Sequence, residues 1–263
     1  MKATVLGHFG EWFQGLDPNA KGLVAVTVHC SKLCARAERL SYGRFEIEGG
    51  DGAISELRGQ ALFRELGLKA GRFRVVLTMP PGGGAGASTA TLVALARAGG
   101  YEGDELAAAC IAVEGATDPL MLDEPDAALW APRRAEVVSI LNPPPPVDIV
   151  GGFLGAPVRT DPDDLVFPVV SDLVDRWRLA GTAAAVAEIA TEAALRTTKL
   201  RGPGTDPTAE LTKSLGGLGW LRAHTGSARG IIFHPGGAPS DAEVRLASAG
   251  MARPFRFSTG RAR

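Results

Sequence analysis

Apolar positions in this chain come in short runs cut by glycine and proline, a pattern of alternating strands and helices rather than long continuous stripes. Residues 3–6 and 22–30 read as strands. The segment between them, 7–15, reads as a turn-rich functional loop that carries Glu11 and Gln14 between glycines. Residues 44–48 alternate as a short strand, and Ile54, Leu57, Ala61, Leu62 and Leu66 recur at helical spacing across 53–66. The apolar strand 72–79 ends at Pro80-Pro81, which forbid helix and force an extended entry into a glycine-rich loop. Beyond it a helix opens, with Leu92, Val93, Leu95 and Ala96 on neighbouring turns and a stop at Gly99-Gly100. A second helix, 104–114, starts with acidic residues that suit the positive end of its dipole.

The pattern continues through a strand at 136–141 and an apolar run at 147–150, separated by Asn142 and the proline run 143–146. Such a run is stiff and extended, which makes it the best candidate for a domain junction dividing 1–142 from 143–263. After it, helical spacing marks 165–179, 182–199 and 210–215, while 216–233 reads as strand, glycine turn and strand. The Arg-rich end, 253–263, reads as a solvated tail.

With 263 residues, 45% of them hydrophobic, and a mean hydropathy of +0.08, the chain can bury a substantial core. A net charge of −1 and a pI near 6.4 give no global basic field, which argues against nucleic acid or an anionic membrane as a partner. The first residues, MKATVLGHFGEWF, lack the features of a signal peptide, and no run of about 18 apolar residues occurs, so a cytoplasmic protein is expected. Cys30, Cys34 and Cys110 form an odd set without CxxC spacing, as reduced thiols do. His29, Cys30 and Cys34 read as buried strand-end residues rather than metal ligands.

Candidate chemistry centres on 78–97. Gly82, Gly83, Gly84 and Gly86 free the backbone to take positive φ and bring N–H groups against a ligand. Ser88 or Thr89 is placed to cap the following helix, whose first N–H groups attract an anion. A Walker loop needs a lysine after the glycines, and none follows. A dinucleotide motif can be forced onto Gly82, Gly84 and Ala87 with Asp104 behind, but the double proline and the missing following strand weaken it. What stands is PPxGxGxxSTA, a loop running into a hydroxyl-bearing helix start. Glu114 and Asp118, where the second helix ends, can aim two carboxylates at one site, and 225–227 offers a second place where backbone can meet a polar ligand group.

Pro80 through Ala90 resembles the phosphate loop of the GHMP kinase superfamily, which includes homoserine, mevalonate and galactose kinases. Ala87 stands where that loop usually has a first hydroxyl residue. Gly10, Glu11, Gln14 and Gly15 are similar to the GE-x-x-QG opening of the L-threonine kinase branch known from cobalamin synthesis. Glu114 and Asp118, followed by Leu120-Met121, resemble that branch's acidic segment, and 223–227 with Gly230 and Phe233 resembles its late AHSGT-x-x-G-x-x-F motif. All four landmarks keep the family order. The departures are Thr91, where an aspartate is common, and Gly7-His8-Phe9, where a small-residue and cysteine triplet is usual.

The resemblance implies an α+β fold of two subdomains, an N-terminal S5-like domain and a C-terminal ferredoxin-like domain. It implies ATP and Mg²⁺ as cofactors and phosphorylation of L-threonine at its side-chain hydroxyl to O-phospho-L-threonine. Another small alcohol, such as serine or homoserine, or a nucleotide-binding regulator without turnover, are the alternatives. On this expectation Pro81, Gly82, Gly83, Gly84, Ala85, Gly86, Ala87, Ser88 and Thr89 hold the ATP phosphates. Ser88 and Glu114 hold Mg²⁺, and Asp118 is the base. Glu11 and Gln14 read the substrate's ammonium and carboxylate, while His224, Thr225, Gly226 and Ser227 close the substrate side or brace the loop. A homodimer is compatible with this expectation.

Overall fold

The computed structural model describes residues 1–159, 161–201 and 206–261. Two long antiparallel strands, β1 (Lys2–Asp17) and β2 (Gly22–Tyr42), form its spine. Around them lie β3 (Glu46–Gly49), β4 (Gly71–Leu77), β5 (Ala128–Ala131) and β6 (Glu136–Ile140), in the order β3-β4-β2-β5-β6 with β1 on the free side of β2. β5 escapes a reading by pattern, since its four residues are all buried and show no alternation. A second antiparallel sheet has the order β10-β7-β9-β8, from β7 (Val147–Leu154), β8 (Gly219–Arg222), β9 (Ala228–Phe233) and β10 (Met251–Thr259). The helices are α1 (Glu56–Glu65), α2 (Ala87–Ala98), α3 (Leu106–Glu114), α4 (Ser171–Leu179), α5 (Ala183–Arg201), α6 (Thr208–Leu215) and α7 (Ala242–Ser248). No helix among the described residues is long and apolar enough to cross a membrane.

Three expectations about the elements need correction, as do two about single residues. The segment 7–15 is not a loop: it is the middle of β1, with register shifts between Leu6 and Gly7, His8 and Glu11, and Glu11 and Phe13. Its glycines serve close packing as much as turning; a Cβ on Gly15 would sit 2.3 Å from the Pro168 carbonyl oxygen. The helix expected over 165–179 begins only at Ser171, because Pro168 disfavours helical backbone before it and Val169 bridges to Leu16 instead. The Arg-rich end is not a tail but β10. Phe257 is buried, Arg256 faces outward to pair with Glu243, and Pro254 falls at a register shift where no ladder N–H is needed. Residues 262–263 of that segment lie outside the described residues.

The proline run 143–146 carries the chain from the first sheet to the second. One hydrophobic core nevertheless includes residues of both, from Trp12, Val26 and Phe73 to Ile149, Leu221 and Phe257. Phe9 of β1 is the joint: its ring meets Phe153, Phe255 and Phe257 edge-on at centroid distances of 5.8, 5.2 and 5.6 Å. A smaller cluster of Leu215, Ile231, Phe233 and Leu246 fills the space under α6 and α7. Cys30 and Cys34 lie inside β2, not at a strand end, and Cys30, Cys34 and Cys110 are free thiols. Burial pushes the Cys30 thiol up to about 11 and the Cys110 thiol to about 12, so both are inert at neutral pH.

Candidate active site

The glycine loop leaves β4 through Pro80-Pro81 and enters α2 at Ala87. Neither Ser88 nor Thr89 caps that helix. The N-cap is Gly86, at φ +70° and without a side-chain cap hydrogen bond, so the amides of the first turn are left for a ligand. The loop carbonyls are spent on the protein: Val158 N–H donates to Gly82 O at 2.9 Å, Ala228 to Gly83 at 2.8 Å, Gly10 to Gly84 at 2.9 Å and His8 to Ala85 at 3.4 Å. In a trans peptide the next N–H points the opposite way, so the amides of residues 84–86 turn away from these partners, while the Gly83 N–H donates to Pro80 O at 3.1 Å. Gly226 makes this bracing possible, since a Cβ there would lie 2.2 Å from the Gly84 nitrogen.

Gly115, at φ +74°, ends α3 in the left-handed region and turns 116–118 back toward α2. Thr89 ties the two helices together. Its hydroxyl donates to Glu114 Oε2 at 3.3 Å and accepts the Asp118 N–H at 3.2 Å, while the Ser88 hydroxyl donates to Glu114 Oε1. Burial, then the nearby Asp118 charge, pushes the Glu114 carboxyl up to about 8, against the pull of Arg58 and the Thr89 hydrogen bond. The Asp118 side chain is 33% exposed and opens on the cleft.

β1 supplies the facing wall. His8 Nδ1 donates to Gly10 O at 3.1 Å, and Nε2 lies 3.3 Å from Asp118 Oδ2, close enough to pair by charge but off the hydrogen-bond direction. Glu11 Oε1 is 4.0 Å from His8 Nδ1, and Glu11 Oε2 accepts the His224 N–H at 3.4 Å. Burial alone would pull His8 down, but the Asp118 carboxylate, Glu11 and the Gly10 carbonyl outweigh it and hold the ring up at about 9. Burial raises Glu11 to about 7 against the His8 charge.

These groups line one cleft of about 470 Å³. Of the residues expected from the sequence, Glu11, Gln14, Pro81, Gly82, Ala85, Gly86, Ala87, Ser88, Thr89, Glu114, Asp118 and Thr225 face it, as does Gly84. Gly83, His224, Gly226 and Ser227 stand behind the wall. His224 stacks on Phe167 at 4.1 Å and receives Arg201 Nε at 3.0 Å; burial and that guanidinium hold the ring down at about 4. Sequence reasoning left out His8, Arg58, Arg133, Arg159 and Phe167, which also line the cleft. His8 carried a local signal, three positions before Glu11. The arginines carried none, because distant segments bring them in: Arg133 donates to Asp164 O and lies over the Phe167 ring at 5.6 Å, and Arg159 donates to Gly52 O at 2.9 Å.

No family model matches the chain, and no curated protein matches it by sequence. Solved structures match it over nearly its whole length. The mevalonate kinase of Methanococcus jannaschii aligns with a TM-score of 0.64 at 11% identity, covering 100% of this chain and 98% of that one. A putative homoserine kinase from Listeria monocytogenes gives 0.64 at 13%, covering 98% and 96%. A mevalonate pyrophosphate decarboxylase from Streptococcus pyogenes gives 0.59 at 10%, covering 99% and 96%. Kinases and a decarboxylase thus share this architecture, and the chemistry must be argued from the site. The mixed α+β fold of this chain, its two sheets and their helices, is the GHMP-kinase fold.

Proposed function

We propose that this protein is an ATP-dependent kinase that phosphorylates the side-chain hydroxyl of L-threonine. The observation that carries the reading is the meeting, in one cleft, of an amide-lined loop at a helix N-terminus with two carboxylates in different surroundings. Both are half-buried and line the cleft, but Glu114 is bonded to Ser88 and Thr89, whereas the Asp118 carboxylate is 33% exposed and bonded to neither. A phosphate cradle alone would serve many ligands. A cradle beside a carboxylate able to orient a hydroxyl is what phosphoryl transfer requires.

Magnesium suits Ser88 and Glu114, which set two hard oxygen donors side by side; burial penalises the Glu114 charge, and a dication relieves that penalty. Among the described residues no cluster of three or more His, Cys, Asp or Glu side chains is placed to hold an ion. When bound, the ion neutralises phosphate charge. The chain's own groups do the rest. The loop and first-turn amides hold the phosphates, with Arg58 and Arg159 also lining the cleft. Asp118 orients the acceptor hydroxyl and takes its proton. Glu11 and Arg133, of opposite charge, suit the ammonium and carboxylate of an amino-acid acceptor, with Gln14 and Thr225 as hydrogen-bonding groups beside them.

The likeness to a putative homoserine kinase favours homoserine as the second acceptor to try. A coupled ADP-release screen over threonine, serine, homoserine and mevalonate tests the reading. Threonine should give the highest kcat/KM. Preference for another alcohol would reassign the acceptor, and tight ATP binding with no release for any of them would make the protein a nucleotide-binding regulator.

A further inference from the structure

His8 sits where the cleft's two functions meet, on the β1 bulge between the acceptor carboxylate and the phosphate loop. The ring is 2% exposed, so it cannot swing away. A carbonyl can only accept, so the 3.1 Å contact to Gly10 O puts a proton on Nδ1. Nε2 then lies 3.3 Å from Asp118 Oδ2, and Nδ1 lies 4.0 Å from Glu11 Oε1; charge this close on both sides favours the ring that carries a proton on Nε2 as well. No aligned acceptor meets that N–H among the described residues. The same edge reaches the helix start, since a Cβ on Gly86 would fall 2.7 Å from His8 Cδ2 and 3.0 Å from Nε2.

The charge around the ring is lopsided. Glu11 on β1 and Asp118 beyond α3 face it, and Glu114 at the end of α3 adds to the charge at Asp118. His29, its cross-strand neighbour on β2, is held low by burial and adds no fixed cation, and the α2 N-terminus contributes only its dipole. A polyphosphate entering this cleft therefore meets Arg58, Arg133 and Arg159 in its lining, with His8 as the cation seated between Glu11 and Asp118.

Resting on the kinase reading, we propose that His8 is the positioning residue of the acceptor base: its doubly protonated ring keeps the Asp118 carboxylate aimed at the acceptor hydroxyl, and retains both protons throughout. In the step it supports, the acceptor O–H breaks and its proton passes to Asp118. The acceptor oxygen bonds to the γ-phosphorus of ATP, and the β–γ bridging bond breaks with its electron pair leaving on ADP. Lacking His8, Asp118 keeps its backbone anchor to Thr89 but loses the partner that fixes its carboxylate.

Three measurements together test the role. His8→Ala should lower kcat by about 10²-fold while KM for ATP stays within about threefold, and His8→Gln, which keeps an N–H but no charge, should recover part of the loss. Nitrogen-detected NMR of the wild-type ring at pH 7.5 should show both ring nitrogens protonated, and Asp118→Asn should shift the ring's titration to lower pH. The alkaline fall in wild-type kcat should be absent from His8→Gln. A kcat loss below tenfold in His8→Ala, or a neutral wild-type ring at pH 7.5, overturns the proposal; the ring measurement decides even if the buried substitution unfolds the chain. The two failures separate. Wild type without turnover on any alcohol overturns the kinase reading and this role with it, whereas turnover that survives His8→Ala overturns this role alone.

Discussion

At the scale of single residues, the site works through pairs whose environments push them apart. Asp118 and Glu114 end the same helix region and both line the cleft, yet the Glu114 carboxylate is bonded to Ser88 and Thr89 while that of Asp118 is left open. Asp118→Asn keeps the shape and removes the base, so kcat should fall by about 10²–10⁴ while the ATP-induced rise in Tm is unchanged; near-normal turnover would remove Asp118 from the mechanism. His8 also writes itself into stability. Its folded pKa lies above the usual histidine value, so the folded state binds the extra proton between about 6.5 and about 9. The contribution is whole below 6.5 and is lost as pH rises through 9. Wild-type Tm should therefore fall more steeply over that range than the Tm of His8→Gln, and parallel curves would contradict the pairing. Thr91, a departure from the resembled pattern, is buried with its hydroxyl bonded to Ala87 O at 2.7 Å. An aspartate there would bury a charge in this chain.

At the scale of elements, the phosphate loop is held by what stands behind it. Gly84 has φ +74°, and a Cβ on it would meet the Ala223 Cβ at 2.3 Å, so a bulky residue there would damage the fold as well as the site. Gly226 and Gly216 make a cleaner contrast. Gly226→Ala forces the late turn off the loop and should cost about 3 kcal/mol along with most of the ATP-induced Tm shift. Gly216→Ala, at φ +70° with open space around it, should cost about 1 kcal/mol and leave the ATP shift intact. Equal ATP shifts in the two variants would show that the loop does not depend on its brace. The loop, α2 and α3 were legible because proline, glycine and apolar spacing are local signals. The β1 bulges were not: three glycines among polar residues read as a turn, and only packing against Ala85 and Pro168 shows why they lie in a strand. The edge strand β10 was hidden in the same way, since arginines facing solvent masked the Phe255 and Phe257 face.

At the scale of the whole molecule, both sheets share one core through Phe9, so Phe9→Ala should lower stability by about 3–5 kcal/mol and unfolding should remain a single transition followed by any probe. Two separated transitions in the wild type would mean that the sheets fold independently. The landmarks in 10–233 pointed to the cleft because each is a short local motif. The cleft's far side was out of reach of sequence reasoning, because Arg133, Arg159 and Phe167 arrive by long-range packing, Arg133 against Asp164 and Phe167 and Arg159 against Gly52. The central claim is transfer of a phosphoryl group to a threonine hydroxyl, and phosphorus NMR of ATP, Mg²⁺, L-threonine and the protein follows that event directly. The γ-phosphorus signal should be replaced by a phosphomonoester signal that co-resonates with added O-phospho-L-threonine, in step with ADP. ATP bound at the loop with no new phosphomonoester, or ADP matched only by inorganic phosphate, would contradict the account.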